Sequence, residues 1–287
     1  MIDYHTETLY MHELSAFKSS TASSLYNRLN DRKAFTFSNN VYYQADLPVG
    51  QAFETHYTAL RAKEGRLYTD DVLRKLPLIA PSHPLSKEWV TRARSTYRLL
   101  QYLATHAPGA RIMDVGCGNG WLTHRLANLL GTQVLGVDVN ETELKQAARV
   151  FRRSNLLFLY GDIFFTPLPP RYFHIIVLAG CIQYFVSLPE LLTRLRSLLC
   201  KPAEIHIIDS PVYRYSEVRH ARGRSEQYFK NCGFGEQIEF YHHHSWEELD
   251  GFNYELLYDP SRMSNRLKQR LSSESPFPWI KVLFPTE

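Results

Sequence analysis

The sequence predicts an α/β domain built on a doubly wound, largely parallel sheet, and three observations carry that prediction. From residue 110 onward, short apolar runs alternate with helical patterns. Those runs are continuously apolar rather than alternating, as strands are when both faces of their sheet are covered. Between the first run and the helix after it lies a loop of alternate glycines, Gly116-Cys117-Gly118-Asn119-Gly120, close behind an acid, Asp114.

Residues 1–85 read as an N-terminal extension, part helical and part irregular, and rich in aromatics. Within it, residues 53–76 have a helical pattern with Tyr57, Leu60 and Leu67 near helical spacing, ended by Pro77, Pro81 and Pro84. Residues 86–287 read as the main domain. Ser86 is placed to cap a helix running to about residue 104, with Trp89, Val90, Ala93, Tyr97, Leu100 and Leu103 on one face. Strands follow at 111–115, 133–139, 156–160, 174–179 and 204–209, with helices at 121–130, 141–153, 188–199 and roughly 216–231. After Gly235 two further strands, 237–241 and 253–258, are expected to form an antiparallel edge pair. A short helix near 264–271 comes next, and a tail containing Pro276–Trp279 is expected to pack on the body.

Composition narrows the function classes. A net charge of +4 spread along the chain is too weak to argue for nucleic acid or membrane. The four cysteines are far apart with no CxxC pair, so neither a zinc motif nor a disulfide scaffold is expected. The longest apolar run, 175–182, falls far short of the roughly 18 residues of a membrane span. The first residues lack the apolar core of a signal peptide. A soluble, cytoplasmic protein with no membrane partner is the expectation.

The glycine loop points to a ligand. In open parallel sheets ligands bind beyond the carboxyl ends of the strands. Glycines there let the backbone take positive φ and let a ligand approach without meeting a Cβ. A dinucleotide uses G-x-G-x-x-G with its pyrophosphate at the helix N-terminus. Here the spacing is G-x-G-x-G, and a carboxylate beside a pyrophosphate would repel it. The ammonium of S-adenosylmethionine suits Asp114. Asp138, ending the second strand, can accept both ribose hydroxyls, although dinucleotide folds place an acid similarly. Asp162, after the third strand, can accept from the adenine amine, with Ile163 against the ring.

On ARIMDVGCGNG, VLGVDVN, GDI, HIIVLAGCIQYF and AEIHIIDSP, residues 110–211 resemble the core of the class I S-adenosylmethionine-dependent methyltransferases, small-molecule type. The resemblance implies a Rossmann-like seven-stranded sheet in the order 3-2-1-4-5-7-6 with the last strand antiparallel. It implies S-adenosyl-L-methionine as cofactor, held by Asp114, Gly116, Cys117, Gly118, Asn119, Gly120, Asp138, Val139, Asp162, Ile163 and Ala179. One departure is His174, where the family often has aspartate after the phenylalanine that opens its fourth strand.

The implied activity is methyl transfer to a small molecule at oxygen, nitrogen or carbon. Gln183 and Tyr184, after the fourth strand, are the candidates for orienting the acceptor. Asp209, Ser210 and Tyr213 follow the fifth strand. The extension would roof the site with Tyr42, Tyr43, Phe53, Tyr57 and Tyr68. The charged stretch 63–71 reads either as a hold on a polar substrate or as an exposed helix end. His242, His243 and His244 read as packing or solvated residues, because neighbours on a strand point to opposite faces. Cys117 reads as a small loop residue, and 219–224 as a solvated basic helix face. No metal site is expected. Three rival readings are a non-catalytic cofactor-binding module, a nicotinamide oxidoreductase and a nucleic-acid methyltransferase. The last lacks the N/D-P-P-Y/F motif after the fourth strand and any strong basic stripe.

Overall fold

The computed structural model describes residues 23–47, 51–271 and 274–284. The chain opens with α1 (Ser23–Leu29) and a hairpin of β1 (Phe35–Ser38) and β2 (Val41–Gln44). Asn39 and Asn40 form its two-residue turn, both at positive φ, a conformation asparagine tolerates. Next come α2 (Gln51–Lys63), α3 (Asp70–Lys75) and α4 (Ser86–His106). The alternating portion follows as β3 (Arg111–Val115), α5 (Trp121–Leu126), β4 (Gln133–Asp138), α6 (Glu141–Val150), β5 (Leu156–Tyr160), β6 (Phe173–Ala179), α7 (Leu188–Leu198), β7 (Leu199–Ile208) and α8 (Tyr215–Cys232). β8 (Asn253–Tyr258), α9 (Met263–Leu271) and β9 (Trp279–Leu283) end the described chain.

The sheet is mixed and has nine strands rather than seven, in the order β1-β2-β5-β4-β3-β6-β7-β9-β8. The two strands beyond the expected count are the N-terminal hairpin. β2 pairs in parallel with β5 through Tyr42 opposite Leu159 and Tyr43 opposite Tyr160. Val41 and Tyr42 are fully buried there, so the hairpin gains apolar burial by continuing the sheet.

Two further expectations are corrected. Residues 237–241 are not a strand, since Gly235–Phe240 forms a 3₁₀ turn. The antiparallel partner of β8 is instead β9, within the segment expected to be a tail, and β9 also pairs with β7. Burial explains the exchange: Ile280 and Val282 are completely covered in the main core, whereas Ile238 joins only a small satellite cluster. The helical run 53–76 splits into α2 and α3 around Gly65, whose φ is +68°.

Successive residues on a strand serve opposite faces. Ile112 of β3 joins the layer of α4, α5 and α6, while Met113 and Val115 face the layer of α1 and α7. α7 shows how local sequence sets such a layer. Ser187 caps it by accepting from the Glu190 amide at 3.3 Å, and Leu188, Leu191, Leu192, Leu195 and Leu198 make one buried stripe. His174, in place of the family's aspartate, accepts from the Arg111 amide through Nδ1 at 3.0 Å. Among the described residues, no helix is long and apolar enough to cross a membrane.

Candidate functional site

The site lies at the carboxyl ends of β3, β4, β5 and β6. Gly116 and Gly120 need their missing side chains. Each has positive φ, and a Cβ would stand 2.6 Å from the Cys181 Cβ at Gly116, or 2.8 Å from Phe158 and Ala147 at Gly120. Asp114 is buried beneath the loop, and Thr123 Oγ1 donates to its Oδ2 at 2.7 Å. Burial, with Asp138 nearby, pushes the Asp114 carboxyl up to about 7. Asp138 is fixed by two backbone amides: Gly118 N donates to Oδ2 at 2.6 Å and Asn140 N to Oδ1 at 2.8 Å. Burial raises its pKa against those bonds. Asn140 also caps α6 by accepting from Glu143 N at 2.9 Å. That brings the Glu143 carboxyl beside Gly118, where burial and then Asp138 push it up to about 7.

Two cavities open from this loop. The larger, about 800 Å³, is lined by Gly116, Asp138, Val139, Asp162 and Ile163 on the strand side and by Phe53, Tyr57 and Tyr184 opposite. Asp162 Oδ1 accepts from Phe164 N at 2.8 Å, and Arg194 Nε holds the Ile163 carbonyl at 2.8 Å, so this loop is fixed from both ends. The smaller, about 100 Å³, is lined by Asp114, Cys117, Gly118, Asn119, Glu143 and Ala179. The expected cofactor residues therefore converge on these two spaces, apart from Gly120. That residue lines neither and instead turns the chain into α5.

Three arginines that the sequence reading did not single out share the smaller cavity: Arg61, Arg66 and Arg92. Arg66 makes two 2.7 Å bonds to the Glu88 carboxylate, which also accepts from Arg92 Nε at 3.0 Å. Arg61 donates to Glu64 at 3.1 Å and to the Tyr184 hydroxyl at 3.2 Å. Of these only Arg66 lies in the charged stretch 63–71, which left substrate hold and exposed helix end both open; Arg61 and Arg92 lie outside it. Gln183 lines a third chamber and not the larger cavity, whereas Tyr184 lines both. Of the roof aromatics, Phe53 and Tyr57 line the larger cavity and Tyr68 the smaller; Tyr42 is in the core and Tyr43 packs on Tyr160.

The histidines separate. His244 is buried between Glu248 at 3.0 Å and the Ile182 carbonyl at 2.9 Å, His243 meets Ser225 at 2.9 Å, and His242 lines the larger cavity. Among the described residues no cluster of histidine, cysteine or acid could hold a metal.

The carboxylates decide what suits this site. Asp114, Asp138 and Glu143 crowd one loop, and each is driven toward its neutral form by burial. A ligand bringing an ammonium group and hydroxyls relieves that strain, whereas a pyrophosphate would add to it.

Comparison with known proteins agrees with this reading. Residues 112–202 match the family model described as a methyltransferase domain. The chain is 30% identical over 101 residues to a ubiquinone biosynthesis O-methyltransferase of Rhodopseudomonas palustris, over 35% of this chain and 39% of that protein. It is 30% identical over 96 residues to the 27-O-demethylrifamycin SV methyltransferase of Amycolatopsis mediterranei, over 31% and 35% of the two chains. The match thus spans well under half the length of these relatives. Among solved structures, a geranyl diphosphate C-methyltransferase from Streptomyces coelicolor superposes with a TM-score of 0.50 at 15% identity, covering 82% of this chain and 98% of that one. Residues 112–202 thus match a methyltransferase domain, and the chain has the class I Rossmann-like fold. The cofactor of that class is S-adenosylmethionine.

Proposed function

We propose that the protein is an S-adenosylmethionine-dependent methyltransferase acting on a small molecule. The observation that carries this reading is the junction of a large, apolar-walled cavity with a small polar annex at one glycine loop, the annex lined by both acids and arginines. In this assignment Asp138 receives the ribose hydroxyls, and Asp162 and Ile163 receive the adenine beside Val139. The amino-acid end enters the annex, its ammonium toward Asp114 and its carboxylate toward Arg61, Arg66 and Arg92. When bound, the cofactor supplies an electrophilic methyl group on a sulfonium.

The protein's own task is then alignment and exclusion of water, and alignment alone contributes about 7–11 kcal/mol in well-oriented reactions. The extension before residue 86 supplies the roof through Phe53 and Tyr57, over a catalytic body formed by 86–287. Gln183 and Tyr184 orient the acceptor where β6 ends.

Calorimetric titration with S-adenosylhomocysteine, with NAD as control, tests the reading. Micromolar or tighter binding of S-adenosylhomocysteine alone is expected. Binding of NAD alone would overturn it, and binding without turnover of any acceptor would favour a non-catalytic module.

A further inference from the structure

A third chamber of about 540 Å³ adjoins the cofactor-side cavities, and all three share Gly180 in their walls. Its sides come from α2, α4, the turn after β6, the end of β7 and α8. Two side-chain oxygens of residues lining it have no hydrogen-bond partner: Gln183 Oε1 and Asp209 Oδ1. Both residues are only 8% exposed. A buried polar atom left unpaired costs about 1–3 kcal/mol, so two beside one chamber call for a cause. Gln183 cannot relieve its oxygen by turning over. Its Nε2 donates to the Gly180 carbonyl at 2.7 Å, and a flip would set oxygen against oxygen. Asp209 Oδ2 accepts from Ser95 Oγ at 2.9 Å, leaving Oδ1 buried without a partner. Asp209 also holds φ at +52°, directly after β7.

We propose that this chamber binds the methyl acceptor, that the acceptor brings hydrogen-bond donors to Gln183 and Asp209 as a hydroxyl or amine, and that Asp209 takes the proton of the group methylated. The inference rests on the methyltransferase reading and deepens it by selecting oxygen or nitrogen over carbon. The acceptor's O–H or N–H bond breaks as Asp209 Oδ1 receives the proton. The freed electron pair forms the bond to the methyl carbon, whose former bonding pair stays on sulfur. Tyr213, Tyr241 and Phe277 make the walls apolar enough for a planar acceptor.

The groups around Asp209 suit a base. α4 presents Glu88, Arg92, Ser95 and Arg98 to it, and Tyr258 and Ser275 lie across a pocket of about 10 Å³ on its other side. Burial raises the Asp209 pKa, while Arg92, Ser95 and Arg98 oppose the rise. A base raised above the ordinary carboxylate range draws a proton more strongly.

The test uses 4-nitrocatechol with the protein saturated in S-adenosylhomocysteine. Its hydroxyls are two donors, and its visible spectrum reports loss of a proton without any turnover. Binding with a shift to the ionised spectrum is expected. Asp209→Asn should lose that shift and at least about tenfold in probe affinity, with S-adenosylhomocysteine affinity kept within about twofold. Ser95→Ala guards against a folding defect in that variant. It leaves the carboxyl but removes a donor that favours its ionised form, so Asp209 becomes the stronger base and the shift should persist at the same or a lower pH. The proposal is overturned if the loaded protein does not bind the probe or binds it without the shift. It is equally overturned if Asp209→Asn binds as the unmodified protein does, since Oδ1 would then face the water-sized pocket beside Ser95. If the unmodified protein does not bind S-adenosylhomocysteine, the methyltransferase reading itself falls, and this inference with it.

Discussion

The two halves of the site are built by different rules. The proposed cofactor half is centred on strand ends, with Asp114 and Gly116 at β3, Asp138 at β4 and Asp162 at β5, and helices add residues such as Tyr57 and Arg92 around them. The proposed acceptor half is assembled from distant segments, with Leu60 on α2, Thr91 on α4, Asp209 after β7 and Arg224 on α8. In the first half, backbone geometry creates the binding surface, so few residue types fit. In the second, side chains from independent helices meet across a gap, and many combinations would serve.

The strongest way to break this contrast is at Gly120. Replacing it with alanine would force a Cβ to within 2.8 Å of Phe158 and Ala147 at a φ of +72°. Strain plus overpacking should cost about 2–5 kcal/mol of stability, read as a lower denaturant midpoint. A variant as stable as the parent would mean that the loop tolerates side chains and that its geometry is not the determinant. Asp138→Ala comes next. It removes the acceptor of the Gly118 and Asn140 amides along with the proposed ribose ligand. Affinity for S-adenosylhomocysteine should fall about tenfold to a thousandfold, at roughly 1.5–3 kcal/mol for each charged hydrogen bond lost. Unchanged affinity in a folded variant would remove Asp138 from the site.

The same contrast explains what the sequence made legible. The five parallel strands of the alternating portion and the acids at their ends were readable because strands buried on both faces are continuously apolar, and the glycines mark where the backbone turns. Strand β9 was not, because 279–283 follows a proline-rich stretch and its role depends on a gap between β7 and β8 that no local pattern reveals. The hairpin β1–β2 was missed for a related reason. Its strands are only four residues each, too short for periodicity to register, and their place is set by β5 far along the chain. Arg61 and Arg92 stand on helices, and Arg66 in the loop between α2 and α3, so the direction each faces is defined only once those segments are packed.

A pH prediction sharpens the cofactor half. Asp114 and Glu143 are held near 7 in the folded protein, against an ordinary carboxylate value near 4. Between about pH 4 and about pH 7 the folded protein keeps protons that the unfolded chain has released. The stability these acids contribute is therefore full at about pH 4 and below, declines up to about pH 7, and is flat above. A ligand carrying an ammonium group prefers the ionised acids, so affinity for S-adenosylhomocysteine should climb from about pH 6 to about pH 8. Calorimetry across that range checks it. Glu143→Gln should flatten part of both trends, and an affinity independent of pH would exclude these acids from contact with the ligand's ammonium.

The smallest effect belongs to Arg224, and its smallness makes it informative. It is exposed on α8, lines the third chamber, and has no ion pair among the described residues, whereas its neighbour Arg222 pairs with Glu226 at 3.3 Å. Arg224→Ala should leave stability within about 0.5 kcal/mol of the parent, as surface changes remote from packing do. It should also leave S-adenosylhomocysteine affinity unchanged, because α8 does not line either cofactor-side cavity. Only acceptors that carry an anionic group should lose affinity, and only in proportion to a solvent-screened charge, about two- to fivefold. A loss shared equally by neutral and anionic acceptors would show that Arg224 acts by shape rather than charge. A loss of cofactor affinity would show that the two halves of the site are coupled more tightly than their separate construction implies.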